Sequence, residues 1–258
     1  MTSSERQPER PPKTLERVER QWTKLGEQDP MWAILTEPEK RSGQWEEKEF
    51  FETGVREIEE VLRIAESVAP VRFESAIDFG CGVGRLSQAL ARHFNRVLGI
   101  DVSKPMIEGA KRLNRFPDRC CYLHNSAADL RAVETESADL VYSNITLQHM
   151  VPALSRRYIQ DFFRVVRPGG QVIFQLPSRP RSVLRYRTKR MLPLALTNWL
   201  WRVRSGSPEA IESYFISEAS VQALVRHSGG KVVKALPDHQ GPPGWESRKY
   251  YCVRESGA

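Results

Sequence analysis

Between Ser75 and Gln175 the chain alternates short apolar strands with amphipathic helices, and this alternation leaves little besides a parallel sheet covered on both faces. Strands are expected at Ser75–Phe79, Val97–Asp101, Cys121–His124, Ala138–Asn144 and Gln171–Gln175. Between them, helices are expected at Arg85–Phe94, after Ser103 as N-cap (KPMIEGAKRLN), and at Ser155–Arg167, ended by Pro168-Gly169-Gly170. Upstream, Glu46–Val68 spaces Phe50, Val55, Ile58, Val61, Leu62 and Ile64 as one apolar helical face. Downstream come a helix, SEASVQALVRHS, and two strands, KVVKAL and KYYCVR, with no helix between them. Such a pair must be antiparallel, at the edge of the sheet.

A chain of 258 residues holds one α/β core with additions, and its 40% hydrophobic and 28% charged residues are those of a soluble globular protein. No run approaches the ~18 apolar residues of a membrane span. The start, MTSSERQPERPPK, lacks the apolar centre of a secretory signal and reads as a disordered tail of mixed charge. Cys81, Cys120, Cys121 and Cys252 form no CxxC pair, so neither a metal site nor a disulfide framework is expected. They read as buried fillers in a protein of the reducing cytoplasm.

The net charge of +7 is concentrated in one place. Arg179, Arg181, Arg185, Arg187, Lys189, Arg190, Arg202 and Arg204 lie between Pro177 and Pro208 with no acidic residue among them, which leaves the rest of the chain near neutrality. Arginines alternating here with Leu, Trp and Tyr suit a basic helical lid over residues 177–214, able to face an anionic acceptor or an anionic membrane surface. Nucleic acid is a weaker partner, since no second basic patch or RNA-binding module accompanies the segment.

The turn after the first strand, Asp78-Phe-Gly80-Cys-Gly82-Val-Gly84-Arg85, lies where an α/β sheet binds its ligand. A dinucleotide site wants GxGxxG, and the position three beyond Gly82 is Arg85, which weakens a nicotinamide-dependent oxidoreductase. No GK[ST] follows, so this is not a P-loop.

IDFGCGVGR resembles the first motif of class I S-adenosylmethionine-dependent methyltransferases, and the matches continue in order along the chain. The resemblance implies a three-layer, Rossmann-like α/β sandwich whose mostly parallel seven-stranded sheet has an antiparallel last strand. It also implies S-adenosylmethionine as cofactor, with S-adenosylhomocysteine as product. Carried over by position, it puts Asp78, Gly80, Cys81, Gly82, Gly84 and Arg85 around the cofactor, Asp101 on the ribose hydroxyls beside Val102, and Met106 over the adenine. Asp129 would take the adenine amino group, with Ala128 and Leu130 supplying neighbouring backbone, and Asn144 would meet the methionine end.

Methyl transfer is an in-line displacement that needs mainly alignment. Where the acceptor must lose a proton, His149, just beyond the fourth strand, is the best-placed base. We therefore expect an N-terminal tail and aromatic helical extension (1–45) and a methyltransferase domain (46–258) carrying the basic lid. The expected acceptor is an anionic small molecule, a sugar or a lipid-linked glycan, and no metal is expected. Rival readings are a non-catalytic accessory protein that binds the same cofactor and an RNA methyltransferase.

Overall fold

The computed structural model describes residues 14–182 and 212–256. Seven strands form one sheet in the order β3-β2-β1-β4-β5-β7-β6. They are β1 (Ser75–Phe79), β2 (Arg96–Asp101), β3 (Cys120–His124), β4 (Ala138–Ser143), β5 (Val166–Pro180), β6 (Gly230–Asp238) and β7 (Trp245–Arg254). The first five run parallel, and β7 runs antiparallel to both β5 and β6. The fold is thus the expected Rossmann-like sandwich. Every residue of β1 and β4 is buried, as strands covered on both faces must be. From β1 the chain builds outward first to β2 and β3 and then, on the other side, to β4 and β5, so a crevice opens at the carboxyl ends of β1 and β4.

The helices fill the two faces and add a third packing region. On one face, α3 (Glu47–Glu66) and α4 (Arg85–Leu90) bury Ile58, Val61, Leu62 and Leu86 against Ala76, Leu140 and Ile173. On the other, α6 (Pro152–Val165) and α7 (Glu218–His227) bury Ile159, Phe162, Val221 and Val225 against Phe79, Val141 and Phe174. Each such side chain is worth ~1.5–3 kcal/mol on burial, enough to fix which face a helix takes. Between β2 and β3 runs α5 (Lys104–Arg112), whose N-cap Ser103 accepts from the Met106 N–H. The third region joins α1 (Thr14–Gln28) and α2 (Pro30–Ile34) to the start of α3 and to Met106 through Trp22, Leu25, Ile34, Phe50 and Phe51.

Two expectations are corrected by the structure. The proline and glycines at 168–170 do not end β5's helix as a loop: α6 stops at Val165 and the strand begins at Val166, absorbing them as an irregularity where its register on β4 shifts. β5 then continues to Pro180, because β7 offers it pairing partners as far as Trp245. Cys121 is exposed rather than buried, since it lies on the edge strand β3 with its side chain on the outer side of the pleat. Most of the basic segment lies outside the described residues. Of its arginines, Arg179 pairs with Glu246 at 2.7 Å and Arg181 donates to the Trp245 carbonyl at 3.1 Å.

Candidate active site

The floor of the crevice is the turn leaving β1. Gly80 and Cys81 both donate to the Ile100 carbonyl, at 2.7 and 3.0 Å, which folds the turn over the end of β2. Gly80 has φ +81°, and a Cβ there would stand 2.1 Å from Thr146 Oγ1. Gly82 has φ +53°, and a Cβ there would stand 2.4 Å from Ile34 Cδ1. Both conformations are ones that L side chains rarely adopt, so only glycine lets the turn pass between these neighbours.

Asp101, at the tip of β2, accepts from the Gly82 N–H through Oδ2 and from the Ser103 N–H through Oδ1, both at 2.8 Å. A carboxylate has about four lone-pair sites, so capacity remains on the cleft side. Burial raises its pKa, against the backbone N–H groups of Ser103, Gly82 and Val102, which pull it down. Asp78 differs: it is fully buried beneath the turn, accepts from Ser87 Oγ at 2.6 Å, and burial raises its pKa to about 7.

A buried carboxylate organises the far end of the crevice. Glu57, on α3, accepts from Arg85 Nη2 at 2.9 Å, Tyr142 Oη at 2.7 Å and Asn144 Nδ2 at 2.6 Å, with Lys249 Nζ 4.0 Å away. Burial alone would raise the Glu57 pKa, but Arg85, Lys249 and the Tyr142 hydrogen bond hold it below its usual value. Arg85 and Asn144 line the crevice, and among the described residues Arg85 Nε and Asn144 Oδ1 are buried without a hydrogen-bond partner. One is a donor and the other an acceptor, held close to the glycine turn by the same anion. Such orphaned groups cost free energy unless something answers them.

After β4 the chain reverses through Ile145, whose φ of +54° is a costly conformation for a β-branched residue, on the order of 1–3 kcal/mol. The reversal lets Thr146 press on Gly80 and lets Asn144 face Glu57. A 3-10 turn at Leu147–His149 then sets His149 in the crevice wall, its ring 5.2 Å from that of Trp22 in an edge-on arrangement. Burial lowers the His149 pKa to about 4, opposed by its hydrogen bond to the Glu212 carbonyl.

The roof comes from α1 and α2. Val18, Trp22 and Ile34 face the cleft from above, and Ser103 Oγ donates to the Trp22 carbonyl at 3.2 Å. Arg17 pairs with Glu212 at 3.3 Å and Glu19 lies 3.8 Å from His124. The space within the cleft, about 840 Å³, includes open solvent.

The residues singled out from the sequence divide. Gly80, Cys81, Gly82, Arg85, Asp101, Val102, Met106, Asn144 and His149 line this one cleft. Gly84 caps α4 with φ +86° and Asp78 lies under the turn, so both shape the floor from outside the lining. Ala128, Asp129 and Leu130 are not among the described lining residues. Asp129 is held by Arg131 and Arg157, each at 2.7 Å, and hydrogen bonding by Arg131 pulls its carboxyl far below the usual range. The Leu130 N–H is spent on Asp161 at 2.8 Å. Asn125 does line the cleft, and its Nδ2 donates to the Asp129 carbonyl at 3.0 Å. Sequence reasoning missed Glu57, Asn125, Trp22 and Ile34. The roof had a signal, the apolar stripe and tryptophans of 14–34, whereas nothing distinguishes Glu57 from the exposed acids beside it on α3.

Residues 77–174 match the family described as a methyltransferase domain. Malonyl-[acyl-carrier protein] O-methyltransferase of Salmonella typhimurium is 35% identical over 40% of this chain and 39% of its own length. Demethylmenaquinone methyltransferase of Clavibacter sepedonicus is 30% identical over 69% of this chain and 66% of its own. The chain thus spans less than two thirds of the length of these curated relatives. Among solved structures, magnesium protoporphyrin IX methyltransferase from Synechocystis PCC 6803, crystallised with bound SAH, shares the fold over 93% of this chain and 99% of its own. Its TM-score is 0.61 and its identity 17%.

Proposed function

This chain belongs to the class I S-adenosylmethionine-dependent methyltransferase family, and on that premise we propose that it transfers a methyl group from S-adenosylmethionine to a small-molecule acceptor bound under the α1–α2 roof. The observation that carries the reading is the floor: a glycine turn with no room for a Cβ, beside a carboxylate at the tip of β2 with unspent acceptor capacity. The residues fit the group. Asp101 suits two ribose hydroxyls, and Met106 and Val102 suit an apolar base. Arg85 Nε and Asn144 Oδ1 suit the carboxylate and ammonium of an amino acid, respectively.

When bound, the cofactor supplies a methyl made electrophilic by its sulfonium. The chain itself contributes alignment and exclusion of water, with Trp22, Ile34 and Val18 closing the cleft from above. His149, neutral at physiological pH, stands where it can accept an acceptor's proton. Arg131 and Arg157 hold Asp129 outside the cleft, so in this reading Asn125 takes the adenine-side role that the motif offered to Asp129.

An anionic acceptor belongs to the same reading on the basic composition of residues 177–214, most of which lie outside the described residues, and the relatives' differing acceptors leave its identity to experiment. Among the described residues no helix is long and apolar enough to cross a membrane.

Calorimetry with S-adenosylhomocysteine and with NAD tests the cofactor half. Only the first should bind, and at ~100 times its Kd it should add ~2.7 kcal/mol to stability. Transfer of a radiolabelled methyl to a panel of small acids, phenols and sugar phosphates tests the other half. Absence of homocysteine-nucleoside binding overturns the reading.

A further inference from the structure

Below His149 lies a run of buried amides that the proposed chemistry has not used. Gln175, on β5, is wholly buried, and Gln148 is 3% exposed. Gln175 Nε2 donates to Gln148 Oε1 at 3.2 Å, and Gln148 Nε2 lies 3.1 Å from His149 Nε2. An amide nitrogen has only hydrogens to offer, so once Gln148 Oε1 is committed to Gln175, its nitrogen must donate to the imidazole. His149 Nε2 is then the bare nitrogen. The proton lies on Nδ1, which faces the Glu212 carbonyl at 3.4 Å, an acceptor that only an N–H can answer. Backbone holds the middle of the chain as well, since the Tyr214 N–H donates to the Gln148 carbonyl at 2.8 Å.

Two buried glutamines in series are costly furniture for an apolar core, and the cost shows at Gln175, whose Oε1 has no hydrogen-bond partner among the described residues. We propose that Gln175 and Gln148 are positioning residues that lock His149 in the Nδ1–H tautomer, with the Gln148 N–H covering the Nε2 lone pair until an acceptor's X–H replaces it. This rests on the methyltransferase reading only for its use. In the reaction the acceptor's X–H takes the place of the Gln148 N–H on that lone pair. The acceptor's electron pair forms the X–CH₃ bond, the C–S pair returns to sulfur, and the X–H proton passes to Nε2. The resulting imidazolium keeps its Nδ1–H on Glu212. Among the described residues, the charged and titratable groups around the ring include Arg17 from α1, Glu212 and Tyr214. Arg17 Nη2 lies 3.3 Å from Glu212 Oε1, and Tyr214 Oη donates to Glu212 Oε2.

Nitrogen NMR of the full chain with ¹⁵N-labelled histidine tests the lock directly, recorded with and without S-adenosylhomocysteine. Wild type should show His149 with a protonated Nδ1 and a bare Nε2. Gln148→Leu should release the ring to a mixture of tautomers, and Gln175→Leu should do so more weakly. Gln148→Glu should invert the tautomer and move the pH at which the ring titrates upward, because a carboxylate beside Nε2 favours its N–H. Each variant should bind S-adenosylhomocysteine within ~3-fold of wild type, which separates loss of the lock from loss of the fold. Should Gln148→Leu not fold, Gln175→Leu and Gln148→Glu carry the same test. With an acceptor in hand, Gln148→Leu should lower kcat by ~10- to 100-fold at unchanged KM for the cofactor, a fraction of the 10² to 10⁴ of a general base. A wild-type ring protonated on Nε2, or a tautomer indifferent to Gln148, overturns the proposal. Absence of S-adenosylhomocysteine binding would instead strike the methyltransferase reading and leave the tautomer as measured.

Discussion

Where Gly82 meets Ile34, two walls of one cleft meet, and they are built by different means. The floor is backbone and buried charge. Gly80 and Cys81 donate to Ile100, Asp101 gathers the Gly82 and Ser103 N–H groups, and Glu57 binds Arg85, Tyr142 and Asn144 into one unit. The roof is mostly side chains: Trp22, Val18 and Ile34 resting on Met106 and His149, with, among the described contacts, a hydrogen bond from Ser103 to the Trp22 carbonyl and the Arg17–Glu212 and Glu19–His124 pairs at its rim. A floor of this kind has one geometry, because each group is over-determined by its neighbours. A roof held by apolar contact can shift and repack, which suits the wall that must pass ligands in and out.

The comparison can be broken most forcefully at Glu57. Glu57→Ala strands the Arg85 guanidinium in a dry site and should cost about 3–5 kcal/mol, read by chemical denaturation. Because the Glu57 pKa is lowered in the fold, the stability it contributes is present above the unfolded value near 4.5 and is lost as pH falls through the folded one. The gap between wild type and variant should therefore close in acid. A gap that persists there assigns the loss to packing instead.

Next in size, Asp101→Ala should weaken S-adenosylhomocysteine by roughly 100-fold, about 2–3 kcal/mol, since hydrogen bonds to a charged group go with it. On the roof, Trp22→Ala should cost ~1–2 kcal/mol of that binding while leaving the melting temperature nearly unchanged. A large fall in melting temperature would show that the roof is part of the core after all. Smallest, Glu19→Gln should alter binding by less than ~0.5 kcal/mol, because the His124 pair is half-exposed and wide.

The two walls also differ in how legible they were. The floor was readable because each requirement leaves a residue type behind: glycine for the left-handed turn at 80 and 82, an acid at the end of the second strand, a cap at Ser103. The parallel sheet followed from the alternation itself, and β5 was underestimated because its extension depends on β7, a partner far away in sequence. The roof left only an amphipathic stripe, which says that a helix has an apolar side but not what it lies on. Asp129 shows what position alone leaves open. Its place in the chain matched a motif, but two arginines, one of them on α6, claim its carboxylate. Glu57 and the Gln175–Gln148 chain were invisible because burial and pairing, not residue type, set them apart from ordinary surface acids and amides.

Ile145 carries a consequence for anyone who engineers this chain. A branched side chain kept in a left-handed bend in the wall of the cleft is a strain that the rest of the fold must hold in place. A screen for heat tolerance should be drawn to position 145, where Asn or Gly relaxes the bend, and its winners should come out sturdier and slower.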